Sequence, residues 1–207
     1  MNTENRSNKL VATWLLVGVV MTIIQFVLGG VTRLTGSGLS ITEWEVITGA
    51  LPPLSEQAWL IEFEKYKLIP EFLAEHSDMD LAGFKVIYFW EWSHRQLGRI
   101  IGLVYAIPLL YFIISNKIQK GKLINFLAIL FLICTQGFIG WWMVSSGLIN
   151  DRVDVSQYRL ATHLGVAFVI LACLFWLWRN QRESWPDNSG NKNLIWLTSI
   201  LSLLVYL

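Results

Sequence analysis

The sequence predicts an all-α integral membrane protein: a four-helix transmembrane bundle with an incomplete fifth span and a long, partly helical outer segment. Of its 207 residues, 54% are hydrophobic and only 15% are charged, against roughly 25% charged residues in soluble domains. Four stretches are long and apolar enough to cross a bilayer, which takes about 20 residues each. The charged residues are also segregated, with basic and acidic groups in different loops. Together these patterns indicate a membrane bundle.

The four spans are expected at about Leu10–Val31, Leu97–Ile114, Leu123–Val144 and Leu160–Trp178. Residues 10–178 then form the four-helix transmembrane half, which includes the outer segment (about 32–90). The rest of the chain divides into a cytoplasmic tail (1–9), a cytoplasmic loop (179–193) and a truncated fifth helix (194–207). This last, mainly apolar run stops after 14 residues, with no polar residue behind it. We therefore expect a fragment of a longer membrane protein, with a naturally short chain as the alternative.

The distribution of charge predicts the orientation of the chain. Lys and Arg lie near the N-terminus and in the second and fourth loops, whereas the segment between the first two spans is acidic. Because short cytoplasmic loops are enriched in Lys and Arg, the N-terminus is predicted to be cytoplasmic and the long first segment to lie outside. The lipid bilayer is the expected environment, and no nucleic-acid partner is expected. Cys134 and Cys173 fall within predicted spans, which argues against an extracellular disulfide.

Span 1 carries polar and small residues that the later argument uses. A glutamine inside a span, here Gln25, usually hydrogen-bonds a neighbouring helix, and a glycine such as Gly29 permits close packing. Arg33 lies at the end of the span, where it either extends to the membrane surface or holds an anion such as a propionate.

The outer segment, at roughly 60 residues, is too long for a plain connector, and segments of this length are often lids or binding elements. After the Pro52-Pro53 helix break, Ser55 is predicted to cap a helix that runs through Tyr66. Met79–Trp90 is also predicted to be helical and leads into span 2.

Span 3 repeats a pattern of span 1, in which a glutamine precedes a glycine by four residues, at Gln25 and Gly29 and again at Gln136 and Gly140. A Ser-Gly-Leu triplet follows each glycine, and a span with a histidine at its outer end follows each unit after a loop. This indicates a duplicated two-helix unit. The duplication makes His94 and His163 equivalent in position.

The two histidines are the main candidates for a site. Spans 2 and 4 run in the same direction, so His94 and His163 lie at similar depth, where facing side chains of a bundle build cofactor sites. Glu91 precedes His94 by three residues and shares its helix face. Either histidine is alternatively a polar residue satisfied by a neighbour. Zinc takes three or four ligands, and only Glu91 is an obvious third, because His76 is expected to be a solvated loop residue.

Haem needs only one or two axial histidines and an apolar, aromatic pocket, and the chain has 11 Trp and 11 Phe. Arg95 and Arg99 follow His94 closely and are candidates to meet propionates or lipid phosphates. The residues therefore point to an outer-side haem site in which His94 and His163 ligate the iron, with the Glu91 carboxylate beside it.

Several motifs together resemble the haem A synthase family, most closely its proteobacterial and mitochondrial branch. They are GGVTRLTGSGLS at 29–40, the turn Pro52-Pro53-Leu54, Glu91-x-x-His94-Arg95-x-x-Gly98-Arg99, and QGFIGWWMVSSGL at 136–148. These motifs cover nearly the whole chain in the family's order. The chain lacks the pair of cysteines that the Gram-positive branch carries in the outer segment.

The resemblance implies an oxidoreductase of eight transmembrane helices in two similar halves, located in the bacterial inner (plasma) membrane. Family members oxidise the C8 methyl of haem O to the formyl group of haem A, for terminal oxidases. The chain would be the N-terminal half, in which His94 and His163 hold haem O and Glu91 is catalytic, while haem b belongs to the C-terminal half. Candidate partners are haem O synthase, an electron donor and further copies of the chain. Candidate propionate contacts are Arg33, Arg95 and Arg99.

Two other functions remain open. One is a membrane cytochrome that only transfers electrons, with His94 and His163 as both axial ligands. The other is a non-catalytic haem-binding assembly protein. Glu91 favours the enzyme over the electron carrier, because a pure electron carrier has no need of a carboxylate beside its ligand.

Overall fold

The computed structural model describes residues 3–45, 48–118, 120–149 and 152–181. Within these ranges the chain is helical and forms no strand, which confirms the predicted all-α class. The α-helices are α1 (Thr3–Leu34), α2 (Glu56–Lys67), α3 (Pro70–Glu75), α4 (Leu81–Ile114), α5 (Leu123–Ser145) and α6 (Gln157–Asn180). Short 3-10 helices lie at Thr48–Ala50 and Lys120–Lys122.

Four of the helices are long and apolar enough to cross a membrane, as the sequence predicted. They cover Lys9–Leu34, Leu81–Ile114, Leu123–Ser145 and Gln157–Asn180. Helix α1 begins at Thr3 and so continues into the predicted polar tail. The predicted fifth helix at 194–207, and the loop from residue 182 onward, lie outside the described residues.

Helix α4 begins well before the predicted start of span 2 at Leu97. Asp80 caps it by accepting a hydrogen bond from the backbone N–H of Gly83 at 2.8 Å. Nothing between Leu81 and Leu97 breaks a helix, so the predicted helix at Met79–Trp90 and span 2 share one axis. His94 therefore lies within a continuous helix, not at the beginning of one.

The four long helices close a bundle. Helix α1 packs against α4 and α6, and α5 packs against the same two helices. Helices α1 and α5 thus occupy opposite corners. We call the half of the bundle where α1 begins the base, and the half where α1 ends and α6 begins the loop end.

The base holds a closely packed apolar core. Trp14 of α1 contacts three aromatic rings, with ring centroids 4.8 Å from Tyr105, 5.3 Å from Phe112 and 6.0 Å from Phe126. Since lipid is as apolar as these side chains, close packing and not the exclusion of water holds such helices together. The buried residues of this core are Val11, Trp14, Leu15, Val19, Tyr105, Leu109, Phe112, Phe126, Ile129, Ile170, Leu174 and Leu177.

One hydrogen bond in the base compensates for a proline. Pro108 lies inside α4 and has no N–H, so the carbonyl of Val104, four residues earlier, loses its helical donor. The indole Nε1 of Trp14 donates to this carbonyl at 2.8 Å. In a membrane such a carbonyl must be satisfied within the protein, and α1 supplies the donor.

The segment between α1 and α4 forms a second core, which packs on the first turns of α4. Ser55 caps α2, as predicted, with its Oγ accepting from the N–H of Ala58 at 3.2 Å. The segment is therefore a folded, partly helical element. The buried residues of this second core are Leu39, Phe63, Tyr66, Ile69, Phe72, Phe84, Ile87 and Tyr88.

His76 is not the solvated loop residue that the sequence suggested. Its Nδ1 lies 2.6 Å from the hydroxyl of Tyr66, and its ring packs on Gly36. Gly36 ends α1 with φ at 58°, a conformation that glycine adopts without strain. A Cβ at this position would also come within 3.2 Å of the His76 ring. The end of α1 and His76 therefore fix each other.

Replacing Trp14 with Phe keeps an aromatic ring but leaves the Val104 carbonyl without its donor. We expect the free energy of unfolding to fall by about 1–3 kcal/mol, measured by denaturant titration in detergent micelles. The matched control is Pro108→Ala, whose N–H restores the helical donor. In that background Trp14→Phe should cost less, and an equal cost in both backgrounds would contradict this account.

Candidate functional site

His94 lies at the loop end of the bundle, on the face of α4 that packs against α1. The side-chain Nε2 of Gln25 donates to the backbone carbonyl of His94 at 3.0 Å. The imidazole rests on Gly29, one turn further along α1, where a Cβ would lie 3.2 Å from His94 Nε2. The absence of a side chain at Gly29 is thus what lets the ring take this place.

His163 repeats this arrangement between α5 and α6. The Nε2 of Gln136 donates to the backbone carbonyl of His163 at 2.9 Å, and it lies 3.4 Å from the ring nitrogen Nε2. The imidazole rests on Gly140, where a Cβ would come within 3.0 Å of its Cε1. The glutamine–glycine pairs that suggested a duplication in the sequence therefore have the same structural role in both units.

The two imidazoles lie at the same end of the bundle, one on α4 and one on α6. Each is partly buried. Three buried polar atoms around them have no hydrogen-bond partner among the residues the structure describes, namely Gln25 Oε1, Gln136 Oε1 and His163 Nδ1. Buried polar atoms are nearly always paired, so these orphans indicate a site built to meet another group.

The surroundings fit a planar group held by two histidines. The apolar core of the base ends near Val19 and Ile170. Beyond it the facing side chains include glutamine, glycine and histidine, together with the ring pair of Phe26 and Phe168, whose centroids are 4.7 Å apart. Haem takes two axial imidazoles from facing helices of a bundle. The two glycines, the two imidazoles and the orphaned polar atoms match that requirement.

Glu91 is one turn before His94 on α4 and only 2% exposed. Its Oε2 accepts hydrogen bonds from Ser40 Oγ and from the N–H of Ile41, both at 2.7 Å. Its Oε1 accepts from the guanidinium of Arg95 at 2.5 Å. A carboxylate with three donors is strongly held, so Glu91 fastens the chain after α1 onto α4.

Two arginines hold the same stretch, which we call the strap (residues 40–45). Arg95 donates to the carbonyl of Ile41 at 2.9 Å and to that of Glu43 at 3.2 Å. Arg99, one turn further, donates to the carbonyl of Glu45 at 2.9 Å. The predicted role of both arginines as propionate contacts stays a prediction; here they secure the backbone beside the histidine.

Arg33 forms an ion pair with Asp154, a residue of the segment between α5 and α6. Its two guanidinium nitrogens lie 2.6 and 3.4 Å from the carboxylate oxygens. Both side chains are more than half exposed, so the pair adds little to stability. It joins the ends of the two repeated units, and a propionate contact of Arg33 likewise stays a prediction.

Comparisons with known proteins bear on this arrangement. A family model described as "Cytochrome oxidase assembly protein" (COX15-CtaA) matches residues 12–207. The chain is 49% identical over 202 residues to a protein of Beijerinckia indica named "Heme A synthase", covering 97% of this chain and 56% of the relative.

Proteins of the same name from two other bacteria agree. The one from Paracoccus denitrificans is 54% identical over 163 residues, covering 79% of this chain and 43% of the relative. The one from Agrobacterium fabrum is 45% identical over 205 residues, covering 99% and 56%. The chain belongs to the haem A synthase family.

This result confirms the family that the motifs predicted. The chain spans about half the length of the curated relatives it matches, and it corresponds to their N-terminal half. No solved structure matches it.

The segment between α1 and α4 contains a buried polar cluster that the sequence analysis did not predict. The hydroxyl of Tyr66 donates to Glu71 Oε2 at 3.1 Å and also lies 2.6 Å from His76 Nδ1. Glu71 is only 4% exposed. In the sequence it is one of many acidic residues of the outer segment, and no spacing distinguishes it, because its burial depends on how α2, α3 and α4 pack.

The position of Glu71 makes its protonation unusual. Burial raises the pKa of Glu71 from 4.5 to about 8. The hydrogen bond from Tyr66 opposes this shift, while the charges of Glu91, Glu75 and Asp154 add to it. Burial also raises the pKa of Tyr66 above its ordinary range, with the charge of Glu71 contributing. Protonated Glu71 is therefore the form that suits the fold.

Stability should depend on pH through Glu71. Its folded pKa lies above its unfolded value, so the folded chain holds a proton that the unfolded chain has lost, and stability falls as pH rises from about 4.5 to about 8. Replacing Glu71 with Gln removes this dependence and should stabilise the protein at pH 8 by about 2–4 kcal/mol.

Thermal unfolding in detergent between pH 5 and pH 8.5 measures the effect. Asp78→Asn, which changes an exposed carboxylate shortly after the same helix that is not among the charges acting on Glu71, is the control and should retain the wild-type pH dependence. A Glu71→Gln protein as pH-sensitive as the wild type would show that Glu71 does not titrate in this range.

Proposed function

We propose that this chain is the substrate-binding part of a haem A synthase, in which His94 and His163 hold haem O while its C8 methyl is oxidised to a formyl group. The observation that carries the proposal is the paired placement of these histidines. Each rests on a glycine and is tied to a glutamine of the neighbouring helix. The relatives named "Heme A synthase" supply the choice of reaction.

The residues of the chain position the substrate and hold charge near it. Haem iron, when bound, supplies the redox chemistry of the methyl oxidation. Conversion of a methyl to a formyl group, with the oxygen atom counted as coming from water, releases four electrons and four protons, and one molecule of dioxygen would accept all of them as it is reduced to two molecules of water. Glu91, ion-paired with Arg95, is a fixed negative charge one turn from His94. An ion-paired carboxylate is better suited to stabilising positive charge at the oxidised carbon than to carrying a proton away.

Holding the strap against α4 is a second role for Glu91. Because its carboxylate holds Ser40, Ile41 and Arg95 in place, its presence no longer separates an enzyme from an electron-transferring cytochrome. The experiments below therefore also test whether the chain is such a cytochrome or a non-catalytic assembly protein.

The proposal also includes the orientation of the chain in the membrane and its partners. The N-terminus is cytoplasmic and the segment between α1 and α4 lies on the periplasmic side of the bacterial inner membrane. Haem b binds to the C-terminal half that the relatives possess. Haem O synthase delivers the substrate, an electron donor serves the haems, and copies of the chain associate with each other.

Haem analysis of the purified chain tests the proposal. Expressed in a host that makes haem O but no haem A, the chain should co-purify with haem O, and His94→Ala or His163→Ala should abolish this. Leu164→Ala, an exposed neighbour of His163, is the control and should retain it. Formation of haem A would show that this half is itself a catalyst, whereas haem b alone with a low-spin spectrum would favour the electron carrier.

The role of Glu91 has its own test, in an enzyme that contains this chain together with a C-terminal half. Glu91→Gln should retain haem but lower formyl production by about a hundredfold or more. Ser40→Ala removes one hydrogen bond from the strap and leaves the carboxylate, so it should lower formyl production by less than about tenfold. Equal losses in the two variants would mean that Glu91 acts through the strap alone, and normal haem A formation by Glu91→Gln would exclude it from catalysis.

A further inference from the structure

In both Gln25 and Gln136, one end of the side-chain amide is hydrogen-bonded and the other is not. In both, the amide nitrogen donates to the backbone carbonyl of the facing histidine, at 3.0 and 2.9 Å. In both, the carboxamide oxygen Oε1 is buried and has no partner within the described part of the chain. The same atom is thus left unpaired at two independent positions of the fold.

The simplest explanation of a glutamine in a membrane helix is that it ties two helices together. That role accounts for the amide nitrogens. It does not account for the oxygens, because a residue that only joins helices is most stable when both of its polar ends are paired. Because the same unpaired oxygen recurs in both units, we expect these oxygens to have a further role as hydrogen-bond acceptors.

The chemistry of iron ligation supplies such a role. An imidazole that gives one nitrogen to a metal carries its proton on the other nitrogen, and this N–H almost always donates to a nearby acceptor. The carboxamide of Gln136 lies beside the His163 ring, with its nitrogen Nε2 3.4 Å from the ring nitrogen Nε2. Gln25 lies one turn from Gly29, on which the His94 ring rests.

We propose that Gln25 and Gln136 are positioning residues of the haem site. Each fixes the helical turn that bears its histidine through the amide nitrogen, and each offers its carboxamide oxygen to the imidazole N–H once the other ring nitrogen binds iron. This inference rests on the proposed function, because it requires haem to be held by His94 and His163.

An imidazole whose N–H donates a hydrogen bond is a stronger electron donor to the iron, which favours ferric over ferrous iron. Removing the acceptor should therefore raise the midpoint potential of the bound haem. A tenfold change in the ferric–ferrous equilibrium corresponds to about 59 mV for one electron. Loss of such a partner also lowers affinity for the metal group, typically by about 10- to 100-fold.

The experiment uses the haem-loaded chain and five variants. Gln25→Met and Gln136→Met keep the length of the side chain and remove both polar ends, while Gln25→Glu and Gln136→Glu keep an acceptor oxygen. Thr22→Val is the matched control, since Thr22 bonds only the carbonyl of Gly18 in its own helix. Redox titration gives the midpoint potential, and electron paramagnetic resonance of the ferric form gives the g values. Gln136→Met and Gln136→Glu both lose the bond of the amide nitrogen to the His163 carbonyl, so a purely structural role would shift the potential alike in the two variants, whereas an acceptor role raises it only in Gln136→Met.

The proposal expects a higher potential and shifted g values for each methionine variant, and wild-type values for Thr22→Val. Should Gln25→Met or Gln136→Met lose haem altogether, the glutamate variant at the same position (Gln25→Glu or Gln136→Glu) must still bind haem, and its failure to do so would overturn the proposal. Wild-type potential and g values in both methionine variants would also overturn it. If the wild-type chain binds no haem, or if His94→Ala and His163→Ala both retain it, the proposed function itself has failed.

Discussion

Two hydrogen bonds set how the histidine-bearing helices are turned in this bundle: the amide of Gln25 on the carbonyl of His94, and the amide of Gln136 on that of His163. In a bilayer a polar side chain must find its partner within the protein, so each bond fixes the rotation of one helix against its neighbour. The glycines one turn further along then accept the imidazole rings. Removing either element would change where a histidine side chain lies between the helices.

The base and the loop end of the bundle differ in the side chains that pack between the helices. The base, centred on Trp14, is filled by aromatic and aliphatic side chains and provides the rigid packing. Around the histidines the loop end has glutamine and glycine in place of such packing, while the second core and the strap lie against α4. Glu91, Arg95 and Arg99 fasten the strap to α4 through its backbone. A rigid base with a polar, backbone-clamped loop end is a suitable frame for a large planar group.

Local patterns predicted much of this. Hydropathy predicted the four spans, Ser55 predicted the start of α2, and the spacing of Gln25 from Gly29 and of Gln136 from Gly140 predicted the duplicated unit. The burial of Glu71 and the contacts of His76 could not be predicted. Both depend on where the segment between α1 and α4 folds back, and no periodic pattern encodes that return. The capture of the strap by Glu91 was missed for the same reason, since Ser40 and Ile41 are distant from it in the sequence.

The central claim is that His94 and His163 meet at one iron. His163→Met tests it most directly, because a methionine–histidine pair still gives low-spin haem but raises its potential relative to a histidine pair. Redox titration of the haem-loaded chain should therefore show a more positive midpoint potential for His163→Met and for His94→Met. Leu164→Met, the adjacent control, should match the wild type. An unchanged potential and spectrum in either histidine variant would mean that this histidine does not ligate the iron, and the paired site would be wrong.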